Sequence, residues 1–244
     1  MEDPVTSQPQ AAPVLVAIDG PAGSGKSSVS RAAAERLGFG ILDTGAAYRA
    51  LAWTVRETGR DPGDEAAVLE LLGGWGFSIT LRGPQTVEVV LPEGGSPVDV
   101  TEAIRAPEIS ALVSRVSGHP RVRERLNEMF RRAVAGSGLP GVVIEGRDIT
   151  TVVAPDAPVR LLLTAVPEVR ARRRAGELPG LSPERVLADL VARDEKDARV
   201  IDFFTPAPGV TLIDTSELDF EQSVRAVIDA VRANAQGFAG RMEA

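Results

Sequence analysis

The 244-residue chain has no cysteine and one histidine, His119. Disulfides, thiolate metal sites, cysteine nucleophiles and multi-histidine zinc sites are therefore excluded. No apolar run approaches the roughly 18 residues that a membrane span requires. The opening Met1-Glu2-Asp3-Pro4 lacks the basic-then-apolar pattern of a secretory signal, so a cytoplasmic location without a membrane partner is expected. A net charge of −7 argues against a nucleic-acid partner, which would call for a basic surface. Lysine is also nearly absent. Lys26 and Lys196 are the only two, so almost every cation is arginine.

What is present is unevenly placed. Arg121, Arg123, Arg125, Arg131 and Arg132 form one basic group, and Arg170, Arg172, Arg173 and Arg174 another. Such runs are ordinarily solvated helix faces; in an acidic chain they also suit a small, highly anionic ligand. Short continuous apolar runs recur at Val14–Ile18, Ile41–Leu42, Val142–Ile144, Val159–Leu163 and Val210–Ile213. Continuous runs, as opposed to alternating ones, are what strands covered on both faces need. Helical spacing lies between them, in Tyr48, Leu51, Ala52 and Val55, in Val122, Leu126, Met129 and Ala133, and in Val224, Val227, Ile228 and Val231. Ser182-Pro183 reads as the start of a further helix running to about Arg193. The alternation predicts an α/β fold with a doubly wound parallel sheet. One stretch breaks the rhythm: Phe77–Leu81 and Thr86–Leu91 flank Gly83-Pro84, predicting an antiparallel hairpin inserted at about 73–105. It is either surface decoration or a substrate-side module.

Gly20, Pro21, Ala22, Gly23, Ser24, Gly25, Lys26 and Ser27 satisfy G-x-x-x-x-G-K-[ST] between a predicted strand and a predicted helix. Glycines let successive backbone N–H groups turn inward around phosphates, and the helix that follows presents its positive end. Lys26 supplies a point charge at the β- and γ-phosphates, the Ser27 hydroxyl can hold Mg²⁺, and Ser28 follows in the same cradle. In a chain so poor in lysine, this one marks a place where the ammonium's compact geometry matters. A P-loop specifies a nucleoside triphosphate, not a reaction. No Asn-Lys-x-Asp guanine reader is present, and Val142–Glu145 runs into Gly146-Arg147-Asp148 without the Asp-Glu ending of motor-type ATPases. A small-molecule kinase fits best.

Ile18 to Ser27, followed by Leu42-Asp43-Thr44-Gly45-Ala46-Ala47-Tyr48-Arg49, resembles the bacterial-type cytidylate kinases. The resemblance continues through Val100–Arg105, Pro120–Arg123, Glu145-Gly146-Arg147-Asp148-Ile149, Arg193–Asp197 and Asp214-Thr215-Ser216, and spans about residues 14 to 232. It implies a P-loop kinase domain over 13–235, with a small antiparallel β/α region that binds the nucleoside monophosphate and a short lid at about 170–182. A disordered arm over 1–12 and a flexible tail over 236–244 complete the expected organisation.

The resemblance also implies site roles. Asp148 would accept from the cytosine amine, with Arg123 and Ser114 at the ring nitrogen and carbonyl; uracil reverses that donor and acceptor pattern. Read from the residues alone, Asp148 could instead cap the turn after its strand. Arg49 and Arg147 would clamp the acceptor phosphate, although Arg49 also fits a solvated helix position. Arg193 and Asp197 would contact the ribose, and Thr44 and Tyr48 would line the pocket, with plain core packing the alternative for Tyr48. Lys26, Arg147, Arg170 and Arg174 would neutralise the transferring phosphoryl.

The chain departs from the family pattern twice. Thr150-Thr151 stands where Gly-Thr is usual, and Arg199 follows Asp197 by two residues instead of three. The expected reaction is ATP with CMP, or with dCMP as a second acceptor, in the presence of Mg²⁺, by a monomer. A kinase for UMP, AMP or a non-nucleotide alcohol, and a nucleotide-binding protein without turnover, are the rival readings.

Overall fold

The computed structural model describes residues 13–177, 183–198 and 204–242, apart from the side chains at 177, 183, 193, 195–198 and 235–242. Among the described residues, five strands form one parallel sheet: β1 (Val14–Asp19), β2 (Gly40–Asp43), β6 (Gly141–Gly146), β7 (Val159–Thr164) and β8 (Thr211–Asp214). Their order across the sheet is β2-β6-β1-β7-β8, so the P-loop strand is central. These are the five apolar runs of the sequence, and the pleat explains why they are continuous. On β1, Val16 and Ile18 face one core and Ala17 the other; on β6, Val143 faces the first and Val142 and Ile144 the second.

Helices cover both faces. Val29, Ala33 and Ala34 of α1 (Lys26–Leu37) and Val224, Val227 and Val231 of α8 (Phe220–Met242) close the first core. Ala46, Ala47, Ala50 and Leu51 of α2 (Thr44–Glu57) and Leu126 and Phe130 of α5 (Pro120–Ala135) close the second. The run of alanines lets α2 lie close to the sheet, which brings its N-terminus beside the end of β6. The expected tail after about 235 is helical backbone as far as Met242, a continuation of α8 in spite of Gly237 and Gly240.

The insert is larger than a hairpin. After α3 (Glu65–Gly74), strands β3 (Gly76–Ile79), β4 (Val87–Val90) and β5 (Val98–Asp99) form a three-stranded antiparallel sheet in sequence order. The third strand, only two residues long, is too short to show alternation. A 3-10 turn (Ala103–Arg105) and α4 (Pro107–Ser117), packed on α2, return the chain to the main body. Leu81 accepts from the Ile41 N–H at 2.8 Å, so the insert shields the otherwise open edge of β2. Trp75 anchors the insert's base. Its indole N–H donates to Thr54 Oγ1 at 2.9 Å, and its ring stacks on Phe77 with centroids 5.4 Å apart.

α6 (Pro167–Glu177) and α7 (Pro183–Ala198) pack against each other. The expected lid residues 178–182, Ser182 among them, lie outside the described residues, as do Arg199 and the arm over 1–12. No helix among the described residues is long and apolar enough to cross a membrane.

Candidate active site

The C-terminal ends of β1 and β6 and the N-termini of α1 and α2 converge on one crevice. The loop from Gly20 to Gly25 carries no regular structure and opens directly into α1 at Lys26. Two of its glycines are demanded by geometry. Gly25, at the helix N-cap, has φ +82, and Gly23 has φ +73 with the Arg170 carbonyl 2.8 Å from where a Cβ would stand. Left-handed backbone at these points is what turns amide N–H groups toward a bound anion. The Ser24 hydroxyl is buried with no hydrogen-bond partner, an orphaned donor inside this loop. Ser27 and Ser28 are exposed in the first turn of α1.

Lys26 and Ser27 share an unexpected partner. Ser27 Oγ donates to Glu145 Oε1 at 2.7 Å, and Lys26 Nζ lies 3.9 Å from Glu145 Oε2. Glu145 sits near the end of β6, is only 2% exposed, and also holds Thr44 through its carbonyl, which accepts from Thr44 Oγ1 at 2.9 Å. Burial pushes its carboxyl above the ordinary glutamate value, the nearby Asp43 charge adds to this, and Lys26, Ser27 and Arg49 oppose it. Sequence alone places Glu145 at the strand end and in the Glu145–Ile149 motif but assigns it no role, because no Asp-Glu pair ends that strand. The signal that could have found it is position alone, a carboxylate at the C-terminal end of the strand beside the P-loop strand. Asp43, likewise missed, caps α2 by accepting from Ala46 N–H at 2.9 Å, and pairs with Arg49 at 3.1 Å.

The residues expected on the acceptor side come from four separate elements. Asp148, 8% exposed, follows β6 and receives a charge-assisted hydrogen bond from Arg123 Nη2 on α5. Desolvation raises its carboxyl above the usual aspartate value, and Arg123 works in the opposite direction. Tyr48 of α2 packs edge-on against Phe130, with centroids 6.3 Å apart, and its hydroxyl is raised by burial and then by the Asp148 charge. Tyr48 thus belongs both to the core and to the Asp148–Arg123 pair. Arg147 is half-buried, while Ser114 is exposed on α4. A cleft of about 250 Å³ opens along α5 beside Arg123, lined also by Asn127 and Arg131. Asn127, a buried polar side chain one turn from Arg123, is a further residue the periodicity reading absorbed into the helix.

The α6 arginines divide. Arg170 is 3% exposed, donates to the Ala165 carbonyl at 3.0 Å and the Ala22 carbonyl at 3.1 Å, and pairs with Asp194 of α7. Arg173 donates to the Ser24 carbonyl at 3.1 Å and to Thr215 Oγ1 at 2.9 Å. Both therefore brace the outside of the P-loop. Arg174 is half-buried on the same helix. Arg193 and Asp197 fall on α7, with side chains outside the description. His119 donates from Nε2 to the Pro62 carbonyl at 2.9 Å, a structural contact.

A phosphate cradle at the end of a central parallel strand, facing a second cationic site, defines a P-loop phosphotransferase. The cytidylate kinase family model matches residues 16–233. The chain is 42% identical to the cytidylate kinase of Cutibacterium acnes over 221 residues, covering 90% of this chain and 96% of that protein. It is 40% identical to the cytidylate kinase of Streptomyces avermitilis over 219 residues, covering 89% and 92%. The chain belongs to the cytidylate kinase family. A solved structure of an uncharacterised protein from Eubacterium ventriosum shares the fold at TM-score 0.51 and 11% identity, covering 90% of this chain and 98% of that one.

Proposed function

We propose that the chain transfers the γ-phosphoryl group of ATP to CMP, and to dCMP as a second acceptor, giving ADP with CDP or dCDP. The observation that carries the acceptor assignment is the largely buried Asp148–Arg123 pair, with Asp148 just after the strand beside the P-loop strand. It offers a carboxylate acceptor and a guanidinium donor side by side, the complement of cytosine's amine and its ring acceptors. Uracil would set a carbonyl against the Asp148 carboxylate, a buried mismatch of the kind that discriminates strongly.

In this reading an oxygen of the CMP phosphate attacks the γ-phosphorus. The bond from that phosphorus to the β–γ bridging oxygen breaks, and ADP leaves. Charge neutralisation and alignment do most of the work, without a covalent enzyme intermediate or a dedicated base. Lys26 and the P-loop amides hold the donor phosphates, Ser24 offers its hydroxyl to them, and Arg49 and Arg147 take the acceptor phosphate. Arg174 adds charge at the transferring group. Arg170 supports the loop from behind, Arg193 and Asp197 serve the ribose, and Ser114 serves the base from the rim.

The Ser27 hydroxyl and the Glu145 carboxylate are oxygen donors 2.7 Å apart, a pair that suits Mg²⁺. They would hold the ion directly or through its waters, and the ion would neutralise charge on the triphosphate. The reading places a monomeric enzyme in the cytoplasm.

The test is ADP release with ATP and Mg²⁺ against CMP, dCMP, UMP, AMP, GMP and no acceptor. Strong turnover with CMP and weak turnover with UMP is the expected result. Equal rates with UMP would overturn the base assignment, and acceptor-independent rates would overturn the kinase.

A further inference from the structure

Asp19 is the last residue of β1, immediately before the first glycine of the P-loop, and is 3% exposed. Its carboxylate reaches across to β6 and grips the turn that follows Asp148. Oδ1 accepts from the Ile149 N–H at 2.7 Å, and Oδ2 accepts from the Thr150 N–H at 2.8 Å and from Thr150 Oγ1 at 2.6 Å. The gripped segment is a single π-helical turn, Ile149–Val153, whose amides at Val152 and Val153 both donate back to the Asp148 carbonyl. A turn of this kind is locally unfavourable and persists only where its surroundings impose it. Here the imposed element carries Arg147 and Asp148 on its leading edge.

Thr150 is also held from the opposite side. Its carbonyl accepts from Arg160 Nη1 at 3.3 Å, while Arg160 Nη2 donates to the Pro208 carbonyl at 3.0 Å, in the segment that returns from the lid helices to β8. Asp19, Thr150, Thr151 and Thr205 border a small polar cleft between the turn and that segment. Thr150 and Arg160 together therefore connect the P-loop strand, the turn after Asp148 and the segment that leads into β8.

We propose that Asp19 and Thr150 are positioning residues for acceptor recognition: their hydrogen bonds fix the turn bearing Arg147 and Asp148 in register with the P-loop. This rests on the assignment of Asp148 as the base-reading residue. The Thr150 hydroxyl acts on the acceptor while leaving the donor cradle in place. Asp19→Asn would replace one accepting oxygen with an N–H₂ facing the donors of Thr150, which breaks the lock and sets donor against donor.

Steady-state kinetics with CMP and UMP, varying acceptor and ATP separately, test this on Thr150→Val, Thr150→Ser and Asp19→Asn beside Asp148→Ala. Thr150→Val should raise KM for CMP about tenfold and lower the CMP-over-UMP ratio about tenfold, with KM for ATP unchanged within about twofold. Thr150→Ser, which keeps the hydroxyl, should restore both, and Asp19→Asn should lower kcat/KM for CMP about a hundredfold. If Thr150→Val lowers turnover of CMP and UMP by the same factor, or raises KM for ATP as much as KM for CMP, the role is structural and the proposal falls. A wild-type enzyme that phosphorylates CMP and UMP alike would instead overturn the base-reading assignment, and the specificity role with it. Should Asp19→Asn fail to fold, the valine and serine pair at position 150 decides the question alone.

Discussion

The donor and acceptor halves of the site are built in opposite ways. The donor half is one unbroken stretch, Gly20 to Ser27, whose binding groups are chiefly backbone amides fixed by positive-φ glycines. The proposed acceptor half is assembled from residues spread over a hundred positions, with Tyr48 on α2, Arg123 on α5 and Asp148 after β6. Backbone recognition suits phosphate, which is common to every triphosphate. Side-chain recognition suits a base, whose edge must be told from its neighbours. The two halves meet at Glu145, which touches the P-loop through its carboxylate and the start of α2 through its carbonyl.

This contrast predicts that lesions in the two halves separate rate from choice. The largest loss is expected from Lys26→Ala, which should lower kcat about 10²–10³-fold while the CMP-over-UMP ratio stays within about threefold of wild type. A ratio that collapses together with kcat would break the comparison. Asp148→Ala should do the reverse, lowering the CMP-over-UMP ratio about a hundredfold with KM for ATP little changed, as read from acceptor competition assays.

The smallest and most diagnostic change is Glu145→Gln at the junction. Because burial raises the folded-state value of the Glu145 carboxyl, the folded protein binds that proton more tightly than the unfolded chain does. The ionised form therefore opposes folding above the raised value, and the opposition fades as the pH falls through it. Glu145→Gln removes the buried charge, so activity should fall about tenfold while Tm at neutral pH rises by about 2–4 °C per kcal/mol gained. The Tm gain should shrink as the pH is lowered, since wild-type Glu145 then takes up its own proton. Thermal unfolding across a pH series, set beside turnover, measures both effects.

Legibility in the sequence follows the same division. All five sheet strands were visible as apolar runs because burial on both faces removes any polar alternation, and the P-loop was visible because its chemistry is contiguous. Asp148 and Arg123 were reachable through resemblance to a family, since spacing alone could not bring 123 and 148 together. Glu145 and Asp19 stayed hidden for a physical reason: each is one carboxylate at a strand end, and only the sheet order β6 beside β1 shows what lies across from it. The third strand of the insert was missed because two residues carry no periodicity. The buried bracing by Arg170 was missed because a cluster of four arginines gives no sign of which one turns inward.

Trp75 has a further use. The chain has two tryptophans, and this one stands where the three-stranded insert leaves α3, 7% exposed, bonded to Thr54 and stacked on Phe77. Indole emission depends on the polarity and hydrogen bonding around the ring. A swing of the insert about its base that loosens the Thr54 bond or the Phe77 stack would therefore shift the emission of Trp75. With Trp53 replaced by phenylalanine, Trp75 would be an intrinsic fluorescent reporter of any such movement, readable in real time without an added label.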